Sequence, residues 1–467
     1  MKITFHGAAQ NVTGSKHLIE SGDSKVVLDC GLHQGKRHES DTLNRTLPFA
    51  ASSVTATILS HAHADHCGML PLLVKDGYHG KIYSTAATAE IARLIMLDSA
   101  HLQLHDYQHM HGSAKQGEHI LEPLYSTDDV ERTCTQFEPV PYAHTTHAWQ
   151  QLNSHARFKF YEAGHILGSA VTVVQFDEDG VTKTVAFTGD LGNTNVPILP
   201  EPEEIAESVE TLIIECTYGD RNHSPITEVA DQLKDLIKDA VQNKRKIIVP
   251  AFALGRTQEL IYILHKLYDE GAIPVLPIYL DSPLASDITA IFTKHSEDYD
   301  QETWQDFSHN DTPFSFKNLH TIQTVEESKA LAKAQGPFMV IASSGMAEGG
   351  RILHHLVTSV SDRNAVIMIT GYQAENTLGR KLQEAITPVR IYDRMYDVRA
   401  RVITVDAFSA HADQNGLLAY IDSFKNLKKV FLVHTELARA TIFKTILATK
   451  FPALTVTIPA RGESYDA

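Results

Sequence analysis

Cysteine is scarce in this sequence, with four among 467 residues: Cys30, Cys67, Cys134 and Cys216. Their spacings fit neither a disulfide framework nor a CxxC zinc site, which excludes a small domain held together by disulfides. A reducing compartment suits such a chain. We expect these cysteines to be small buried side chains, because free cysteine commonly packs as a small hydrophobe.

Long apolar runs are also missing. No stretch of about 18 apolar residues occurs, and the start, MKITFHGAAQ, has no apolar run after its lysine. Neither a membrane span nor a signal peptide is predicted, so we expect a cytoplasmic protein without a membrane partner. With 467 residues, 43% of them hydrophobic, and no fixed-period repeat, the chain is expected to form two globular domains.

Positive charge is in deficit, since 41 lysines and arginines face 57 aspartates and glutamates, for a formal net charge of −16. This balance argues against a broad, non-specific grip on nucleic acid, which depends on many lysine and arginine contacts to phosphates. A pair of divalent metal ions can itself be the largest local positive charge in a site. A polyanionic substrate therefore stays compatible with this acidic chain only if such a site holds it.

Two patterns of secondary structure follow one another along the chain. Short β-rich runs with turn residues fill the first 60 residues and return at RFKFYEAG, AVTVVQF and KTVAFTGDLG. Helices then alternate with strands, beginning with the helix EVADQLKDLIKDAVQ and the strand KIIVPAFA, which predicts a second, parallel α/β sheet. Short strands resume at RVITVDAFSA and KVFLVHT near the end.

The strongest signal for chemistry is the segment HAHADH, directly after the predicted strand VTATILS. In an extended segment side chains two apart point to one side, so His61 and His63 can converge on one metal ion. Asp65 and His66, where the chain turns into a helix, can then reach a second ion. Imidazole nitrogen and carboxylate oxygen are ligands that zinc accepts, and the alanine spacers leave room for two ions.

A metal pair needs further ligands at the ends of other strands. His165 in YEAGHILGS and Asp190 in FTGDLG both come just after β-rich runs and beside glycines, which permit tight turns. Each alone would be an ordinary loop residue. Together with the histidine cluster, they are predicted to be ligands.

The order of the motifs resembles a known family. VVLDCG, HAHADH, AGHILGS and TGDLG are similar to the signature motifs of the metallo-β-lactamase fold. ECTYGDR, PAFALGRTQE, DSPLA, ASSGMAEGGR, GYQAENTLGR, FSAHAD and VFLVH resemble its β-CASP branch, which includes the endonuclease subunit of the pre-mRNA cleavage and polyadenylation machinery and ribonuclease J. The resemblance runs from about Ile3 to His434.

The resemblance implies a fold and its limits. We expect an α/β protein, a metallo-β-lactamase αββα sandwich with an inserted parallel α/β (β-CASP) domain. The first part of the metallo-β-lactamase domain is expected at residues 1–216, the β-CASP domain at 217–398 and the C-terminal part at 399–467.

The resemblance also implies a site for two Zn²⁺ ions, and Mn²⁺ could replace zinc, since selectivity follows geometry and supply as well as ligand type. One ion is expected on His61, His63 and His165, the other on Asp65, His66 and His434, with Asp190 bridging. Asp29 is expected to orient a ligand histidine or the water from outside the ligand set.

The implied reaction is phosphodiester hydrolysis, in which Asp65, Asp190, Glu215 and His411 take part in catalysis. His411 is the candidate general acid for the departing ribose oxygen, because histidine titrates near neutrality, and Glu215 could hydrogen-bond it. Backbone phosphates are expected to be held by residues with arginine or hydroxyl side chains: Arg256, Ser343, Ser344, Arg351 and Ser409. For Arg256, a structural role at a helix start is an equal alternative.

Residue 434 bears on the substrate, because the family has histidine there in RNA-cutting members and commonly valine in DNA-processing ones. His434 therefore favours single-stranded RNA as the partner, with endonucleolytic, 5′-3′ exonucleolytic or combined cleavage.

The chain departs from the family at Thr435 and Asn376, where glycine is usual. Asn376 can keep a turn of positive φ, whereas β-branched Thr435 would tolerate one badly.

Three other classes of protein share some of these sequence features. A small-molecule hydrolase of the same fold would use the histidine cluster but would not need the domain at residues 217–398. A DNA-processing nuclease is the main alternative, with His434 as the discriminating residue. A non-catalytic scaffold should lack ligands, and none is missing here. The sequence leaves a homodimer open.

Overall fold

The structure, a computed structural model, describes residues 1–35, 37–113, 121–194, 196–223, 226–307, 312–371, 373–374, 376–405 and 409–467. Its strands are β1 (Lys2–Phe5), β2 (His17–Ser21), β3 (Ser24–Leu28), β4 (Ala56–Ile58), β5 (Ile82–Ser84), β6 (Phe137–Pro139), β7 (Gln150–Gln151), β8 (Ala156–Glu162), β9 (Ala170–Glu178), β10 (Val181–Phe187), β11 (Thr211–Glu215), β12 (Lys246–Pro250), β13 (Ile278–Asp281), β14 (Leu319–Thr321), β15 (Phe338–Ala342), β16 (Ala365–Ile369), β17 (Val389–Ile391), β18 (Arg394–Tyr396), β19 (Arg401–Thr404), β20 (Lys429–Val433), β21 (Thr455–Thr457) and β22 (Ser464–Asp466).

The helices carry the connections between these strands. They are α1 (Arg37–Asn44), α2 (Ala64–Cys67), α3 (Leu70–Lys75), α4 (Ala86–Ser113), α5 (Thr127–Cys134), α6 (Ala143–Thr146), α7 (Ile226–Gln242), α8 (Arg256–Asp269), α9 (Pro283–Lys294), α10 (Gln301–Phe307), α11 (Val325–Lys333), α12 (Ile352–Ser359), α13 (Leu378–Gln383), α14 (Gln414–Ser423) and α15 (Leu437–Lys450), with 3-10 turns at Ala51–Ser53 and Ser296–Asp298. No helix of the described residues is long and apolar enough to cross a membrane.

The chain divides into two compact units. Unit 1 comprises Met1–Thr194, Pro200–Asn222 and His411–Ala467, and unit 2 comprises Asn195–Leu199 and His223–Ala410. Unit 2 interrupts unit 1 after β11, and the chain returns to unit 1 for β20, which pairs in parallel with β11. The second unit is therefore an insertion between two neighbouring strands of one sheet.

Unit 1 is built on two seven-stranded sheets, in the orders β22-β1-β2-β3-β4-β5-β6 and β21-β20-β11-β10-β9-β8-β7. Apolar side chains of both sheets, such as Phe5 and Ile58 from one and Phe160 and Phe187 from the other, form one buried cluster. The opposite face of the second sheet packs against α14 and α15 through residues such as Phe443. Successive side chains of a strand point to opposite faces, so the second sheet is buried on one face by the first sheet and on the other by helices.

Unit 2 is built on a six-stranded parallel sheet in the order β14-β13-β15-β12-β16-β19. The central strands KIIVP, FMVIA and AVIMI are buried at every position. Such continuous apolar runs are typical of parallel strands covered on both faces by helices. The mixed α/β architecture predicted from the motifs, with an inserted parallel domain, is confirmed.

The last strand of the unit 2 sheet lies beyond the expected limit of the inserted domain. On sequence, residues 399–410 are expected in the C-terminal part of the metallo-β-lactamase domain. In the structure, β19 pairs in parallel with β16, with Val402 opposite Ile367. The compact units divide after Asn222 and after Ala410. The sequence RVIT does not indicate which sheet this strand joins, because the backbone groups at the edge of either sheet can form the same hydrogen bonds.

The cysteines are placed as expected for small apolar side chains. Cys30, Cys67 and Cys216 are buried, Cys134 is half-buried, and all four are free. Burial raises the pKa of the Cys30 thiol to about 12. Burial also raises the pKa of Cys67, Cys134 and Cys216, so the thiol form of all four is favoured at neutral pH.

A buried polar network holds one end of the unit 2 sheet to two of its helices. Asp281, at the end of β13, accepts hydrogen bonds at Oδ2 from His355 Nε2 (2.7 Å) and Ser328 Oγ (2.6 Å) and at Oδ1 from Arg351 Nη1 (2.9 Å). Burial alone would raise the pKa of Asp281, but these hydrogen bonds outweigh it and hold the pKa below its usual value. The ionised form is therefore favoured by the fold.

We expect Asp281→Asn to lower the free energy of unfolding at neutral pH by roughly 3–5 kcal/mol, because removing one member of a buried charge network leaves its partners uncompensated. Since the folded pKa lies below the unfolded one, this contribution is present above pH about 4 and is lost as pH falls through the folded value. Denaturation of both proteins at several pH values tests this. The exposed Asp287→Asn is the control, and an unchanged stability for Asp281→Asn would contradict the account.

Candidate metal centre

Parallel strand ends bring part of the site to one edge of the second sheet in unit 1. β10, β11 and β20 pair in parallel, with Phe187 opposite Ile213 and Glu215 opposite Val433. The carboxyl ends of parallel neighbours meet at the same edge, where loops carry functional side chains. Asp190 and His434, which follow β10 and β20, therefore project from the same rim as Glu215.

The segment HAHADH follows β4 and turns directly into α2. His63 is the extended residue that precedes the helix, and Asp65 and His66 lie in its only turn. His61 and His66 are buried, while His63 and Asp65 are half-buried. The strand-to-helix turn thus splits the four side chains into two pairs.

The first group of donor atoms joins three histidines and one aspartate. His61 Nε2 and His165 Nε2 lie 3.1 Å and 3.2 Å from His63 Nδ1. The same two atoms lie 3.4 Å and 3.5 Å from Asp190 Oδ2. The loop between β8 and β9 therefore brings His165 to the first pair of the HAHADH segment.

The second group joins the other pair to the C-terminal strand. His434 Nε2 lies 3.4 Å from Asp65 Oδ2. Asp190 Oδ1 lies 3.3 Å from His66 Nε2 and 3.5 Å from His434 Nε2. Asp190 thus turns one carboxylate oxygen to each group.

This donor set fits metal ions. The ligating atoms of His61, His63, His165 and Asp190 lie within 4.8 Å of one another, as do those of Asp65, His66 and His434. His66 Nε2 and Asp190 Oδ1 are buried and have no hydrogen-bond partner among the described residues. Buried polar atoms are rarely left unsatisfied, so the arrangement calls for a cation between them. Imidazole nitrogen with carboxylate oxygen is the donor chemistry that zinc prefers when thiolates are absent.

Asp29 contacts His66 through the ring nitrogen that faces away from the donor cluster. Its Oδ2 accepts a hydrogen bond from His66 Nδ1 at 2.7 Å, and its Oδ1 accepts one from the Ser60 backbone N–H at 2.8 Å. Because Nδ1 carries the proton in this bond, Nε2 of His66 is left as the lone-pair donor toward the cluster. Ser15 Oγ lies 3.1 Å from the same carboxylate oxygen.

Two hydroxyl groups that sequence reasoning missed contact other ligands in the same way. Ser60 Oγ lies 3.0 Å from His61 Nδ1, and Thr217 Oγ1 lies 3.0 Å from His434 Nδ1. Ser60 could have been suspected because it directly precedes the histidine cluster. The role of Thr217 could not be predicted, because Thr217 and His434 follow two neighbouring strands, β11 and β20, that are far apart in sequence.

His411 and Glu215 form a pair beside the cluster. His411 Nδ1 lies 2.9 Å from Glu215 Oε1 and 3.9 Å from Asp190 Oδ2. Glu215 is fully buried and also accepts hydrogen bonds from the backbone N–H groups of Leu191 and Thr217. The His411 side chain is 21% exposed, whereas the side chains of His61, His66, His165 and His434 are at most 7% exposed. It therefore borders the cluster on the side open to solvent.

The charges of the site follow from burial and from neighbouring groups. Burial lowers the pKa of His61 to about 3 and that of His63 to about 4. Burial would raise the pKa of Asp190, but the charges of His434 and His66 hold it well below its usual value. Burial would likewise lower the pKa of His411, but the carboxylates of Glu215 and Asp190 outweigh it and raise that pKa to about 9.

Backbone geometry around the ligands differs from the expectation at one position. Asn376 has a φ of 69°, so it keeps the turn as predicted. The positive φ near the last ligand, 55°, falls on His434 itself, and Thr435 is not among the described residues of positive φ. The strain predicted for Thr435 is therefore wrong, because the turn is made one residue earlier.

Gly189 permits a close approach between two loops of the site. It has a φ of 55°, and an added Cβ would lie 2.5 Å from the Ser60 side chain. The turn before Asp190 thus packs on the residue before His61. A side chain at position 189 would push these two ligand-bearing loops apart.

The residues predicted to hold phosphates all lie in unit 2, and that role stays a prediction. Ser343 Oγ lies 2.8 Å from Ser282 Oγ, and Ser344 Oγ accepts hydrogen bonds from backbone N–H groups of its own loop. Arg256 Nη1 donates to Glu259 Oε2 at 2.7 Å, and Ser409 is buried. Arg351 donates to Asp281 and to the carbonyl oxygens of Ile322 and Gln323, which is a structural use of its guanidinium.

Family models match the chain in three segments. A metallo-beta-lactamase superfamily domain matches residues 18–188, a Beta-Casp domain matches 257–382, and a Zn-dependent metallo-hydrolase RNA specificity domain matches 395–459.

Similar proteins span nearly the whole chain. A protein named ribonuclease from Thermus thermophilus is 34% identical over 96% of both chains. A protein named RNase J-like from Methanocaldococcus jannaschii is 30% identical over 98% of both, and a transcription termination factor of the same organism is 29% identical over 95% of this chain and 68% of its own. A crystal structure of an Enterococcus faecalis protein of unknown function covers 99% of both chains with a TM-score of 0.54 at 13% identity, which shows the fold alone.

The fold and its histidine and aspartate cluster define a metal-dependent hydrolase. The chain belongs to the β-CASP family of the metallo-β-lactamase superfamily, as its motifs predicted.

Proposed function

We propose that this protein is a zinc-dependent ribonuclease that hydrolyses phosphodiester bonds of single-stranded RNA at a site for two metal ions. The observation that carries the proposal is the position of Asp190. Its Oδ2 faces His61 and His165, whereas its Oδ1 faces His66 and His434. A carboxylate that lies between two donor groups suits a bridging ligand of two ions.

Each ion has its own ligands in this proposal. His61, His63 and His165 would hold the first, Asp65, His66 and His434 would hold the second, and Asp190 would contact both. When bound, such a pair of ions lowers the pKa of a water molecule and neutralises the charge on phosphate oxygens. Manganese could occupy the same donor set.

His411 supplies a proton to the departing ribose oxygen in this proposal. Its Nδ1 is held by Glu215 at 2.9 Å, which fixes the ring beside the metal ligands. Glu215 is in turn fixed by the Leu191 and Thr217 backbone N–H groups, so it cannot swing away from His411. A carboxylate at Nδ1 orients the imidazole ring and favours its protonated form, which suits a general acid.

RNA is favoured over DNA by two observations. The similar proteins from Thermus thermophilus and Methanocaldococcus jannaschii carry ribonuclease names. The last ligand is His434, and the family resemblance associates histidine at this position with RNA cleavage. A DNA-processing nuclease is the alternative that the substrate test must exclude.

Asp29 acts as a positioning residue for His66 in this proposal. We expect Asp29→Asn to weaken metal binding about 10–100-fold, because the histidine loses the carboxylate that fixes its tautomer and orientation. Asparagine tolerates the φ of 59° at this position, so the backbone should be kept. Zinc affinity measured by competition with a chelating dye tests this, with exposed Asp23→Asn as the control. Equal affinities of Asp29→Asn and the wild type would refute the role.

The function is tested with purified protein and 5′-labelled single-stranded RNA or matching DNA, with and without chelator, alongside His66→Ala. Exposed His79→Ala is the matched control. We expect cleavage of RNA only, its loss with chelator and with His66→Ala, and full activity of the control. Product lengths then distinguish endonucleolytic from 5′-3′ exonucleolytic cleavage.

Two results would overturn the proposal. Cleavage of DNA in preference to RNA would assign the chain to DNA processing. Undiminished RNA cleavage by His66→Ala, or in the presence of chelator, would show that the metal centre does not carry the reaction.

A further inference from the structure

A cavity of about 400 Å³ lies in unit 2 and is lined by residues of that unit alone. It is formed by helices α11 and α12 and by the hairpin of β17 and β18. Its lining includes Lys329, Lys333, Val357, Tyr392, Arg394 and Tyr396. Its volume is within the range of sites that bind small molecules, roughly 300–1,000 Å³.

Positive charge surrounds this cavity in a chain of net charge −16. Lys329, Lys333 and Arg394 are exposed, and none of the three has a salt bridge or a side-chain hydrogen bond with any residue that the structure describes. Asp393 also lines the cavity, but its carboxylate lies 3.3 Å from Arg390 Nη2. The cavity therefore presents three positively charged side chains without ion-pair partners among the described residues, although the chain as a whole is negatively charged.

Aromatic surface accompanies these cations. Tyr392 is 55% exposed at the tip of the hairpin, and half-buried Tyr396 lies on its second strand. Ile391 and Val357 add apolar surface to the lining. Aromatic rings beside cations make the surface on which single-stranded nucleic acids bind, since bases stack on the rings and phosphates meet the charges.

The lining of the cavity follows α11 and α12 from Lys329 and His354 to Lys333 and Thr358 and includes none of the serines predicted to contact phosphate. Ser343 follows the carboxyl end of β15, and α12 then runs back toward the amino ends of the parallel strands. Thr358, near the end of α12, and Lys333, the last residue of α11, both line the cavity. The cavity is thus a separate surface from the Ser343 loop.

We propose that this cavity is a second binding site for single-stranded RNA, which holds one nucleotide with its base against Tyr392 and Tyr396 and its phosphates at Lys329, Lys333 and Arg394. The assignment of RNA as the ligand rests on the proposed ribonuclease function. None of its lining residues is a predicted metal ligand or a member of the His411–Glu215 pair, so it contributes to affinity and not to the chemical step.

The test compares a triple variant, Lys329→Ala with Lys333→Ala and Arg394→Ala, with the control Lys238→Ala, an exposed lysine on α7 of the same unit. Cleavage of a labelled single-stranded RNA of about 20 nucleotides is followed at several salt concentrations. We expect KM of the triple variant to rise about tenfold with kcat within twofold of wild type. The slope of log affinity against log salt should fall by about 2, since each phosphate contact on a single strand contributes about 0.7.

Stacking is tested with a second pair of variants. Tyr392→Ala should raise KM at least about fivefold, as expected for loss of one stacked base, whereas Tyr392→Phe keeps the ring and should behave as wild type. Trp304→Ala removes an aromatic side chain of unit 2 that is 56% exposed, and should have no effect. AMP added as a competitor shows whether the cavity binds a free nucleotide or only a nucleotide within a strand. If AMP inhibits RNA cleavage by the wild type but not by Tyr392→Ala, the cavity binds a free nucleotide. If AMP does not inhibit the wild type, the cavity binds only a nucleotide within an RNA strand.

Unchanged KM and salt slope in the triple variant would overturn the proposal, as would equal losses for Tyr392→Phe and Tyr392→Ala. A change of sedimentation in these variants with unaltered RNA parameters would assign the surface to a second copy of the chain. If the wild type cleaves no RNA, the same variants are compared by fluorescence anisotropy of a labelled oligoribonucleotide. Weaker binding by the triple variant would then retain the RNA site although the proposed catalytic function had failed.

Discussion

Substitution of Asp190 by asparagine is expected to cause the largest loss of activity, roughly 10³-fold or more in the rate of RNA cleavage. Asp190 is the side chain that faces both donor groups, with Oδ2 toward His61 and Oδ1 toward His66. Asparagine has nearly the same shape but loses one oxygen and the negative charge, so binding of both ions should weaken. Metal ions supply several kcal/mol of transition-state stabilisation, and each 1.36 kcal/mol corresponds to a factor of ten in rate.

Metal content and cleavage rate should be measured on the same preparation of the Asp190→Asn variant. Asp179→Asn is the control, because Asp179 is exposed and its φ of 51° suits asparagine. The control should retain the metal and the activity of the wild type. An Asp190→Asn protein with full metal content and a rate within tenfold of wild type would contradict the bridging role.

Loss of the His411 side chain is expected to have the second largest effect, a fall in kcat of about 10²–10⁴-fold, the range that general acid catalysis supplies. Metal content should not change, because His411 Nδ1 is engaged with Glu215 at 2.9 Å and lies farther, 3.9 Å, from Asp190. Cleavage rate and zinc content of His411→Ala are the measurements. His411 also belongs to a possible donor group with Asp190 and His434, so a parallel loss of metal would show that it is a ligand instead.

A modified substrate tests the proton transfer itself. An RNA in which sulfur replaces the departing ribose oxygen needs no proton from the protein, because a thiolate is a good leaving group. The difference between wild type and His411→Ala should therefore shrink on this substrate. Glu215→Gln should lower the rate less than His411→Ala and add nothing to it in the double variant, since it acts through His411. An undiminished difference on the sulfur substrate would exclude the general acid.

The histidine cluster could be predicted from sequence because its ligands are concentrated in one short segment. One strand is followed by four such residues: His61, His63, Asp65 and His66. The first two lie in the extended segment and the last two in the helix, so the side chains form two pairs. His165 and Asp190 were weaker signals on their own. The order of the family motifs joined them to His434, and the structure places all seven side chains in two groups that meet at Asp190.

The hydroxyl groups around the site could not be predicted in the same way. Thr217 contacts His434 because β11 and β20 are neighbours in one sheet, a pairing across the whole of unit 2. Serine and threonine are common at strand ends, so their presence carries no signal until the fold brings a histidine to them. The partner of Arg351 was likewise not predictable from sequence. Its glycine-rich loop is typical of an anion site, but its guanidinium donates a hydrogen bond to Asp281.

Sheet membership and surface charge were also beyond the sequence. β19 is too short for its residues to specify a partner, and it joins the unit 2 sheet beside β16. Lys329, Lys333 and Arg394 come from two separate segments, and only the packing of the hairpin against α11 and α12 places them around one cavity. Long-range packing, and not local pattern, decides such features.

Diffraction from zinc-grown crystals at wavelengths on either side of the zinc absorption edge would locate the bound metal. We expect two anomalous peaks per chain, one among His61, His63 and His165 and one among Asp65, His66 and His434, with the Asp190 carboxylate between them. A single peak, or zinc bound elsewhere while both groups stay empty, would contradict the two-metal centre on which the proposed ribonuclease rests.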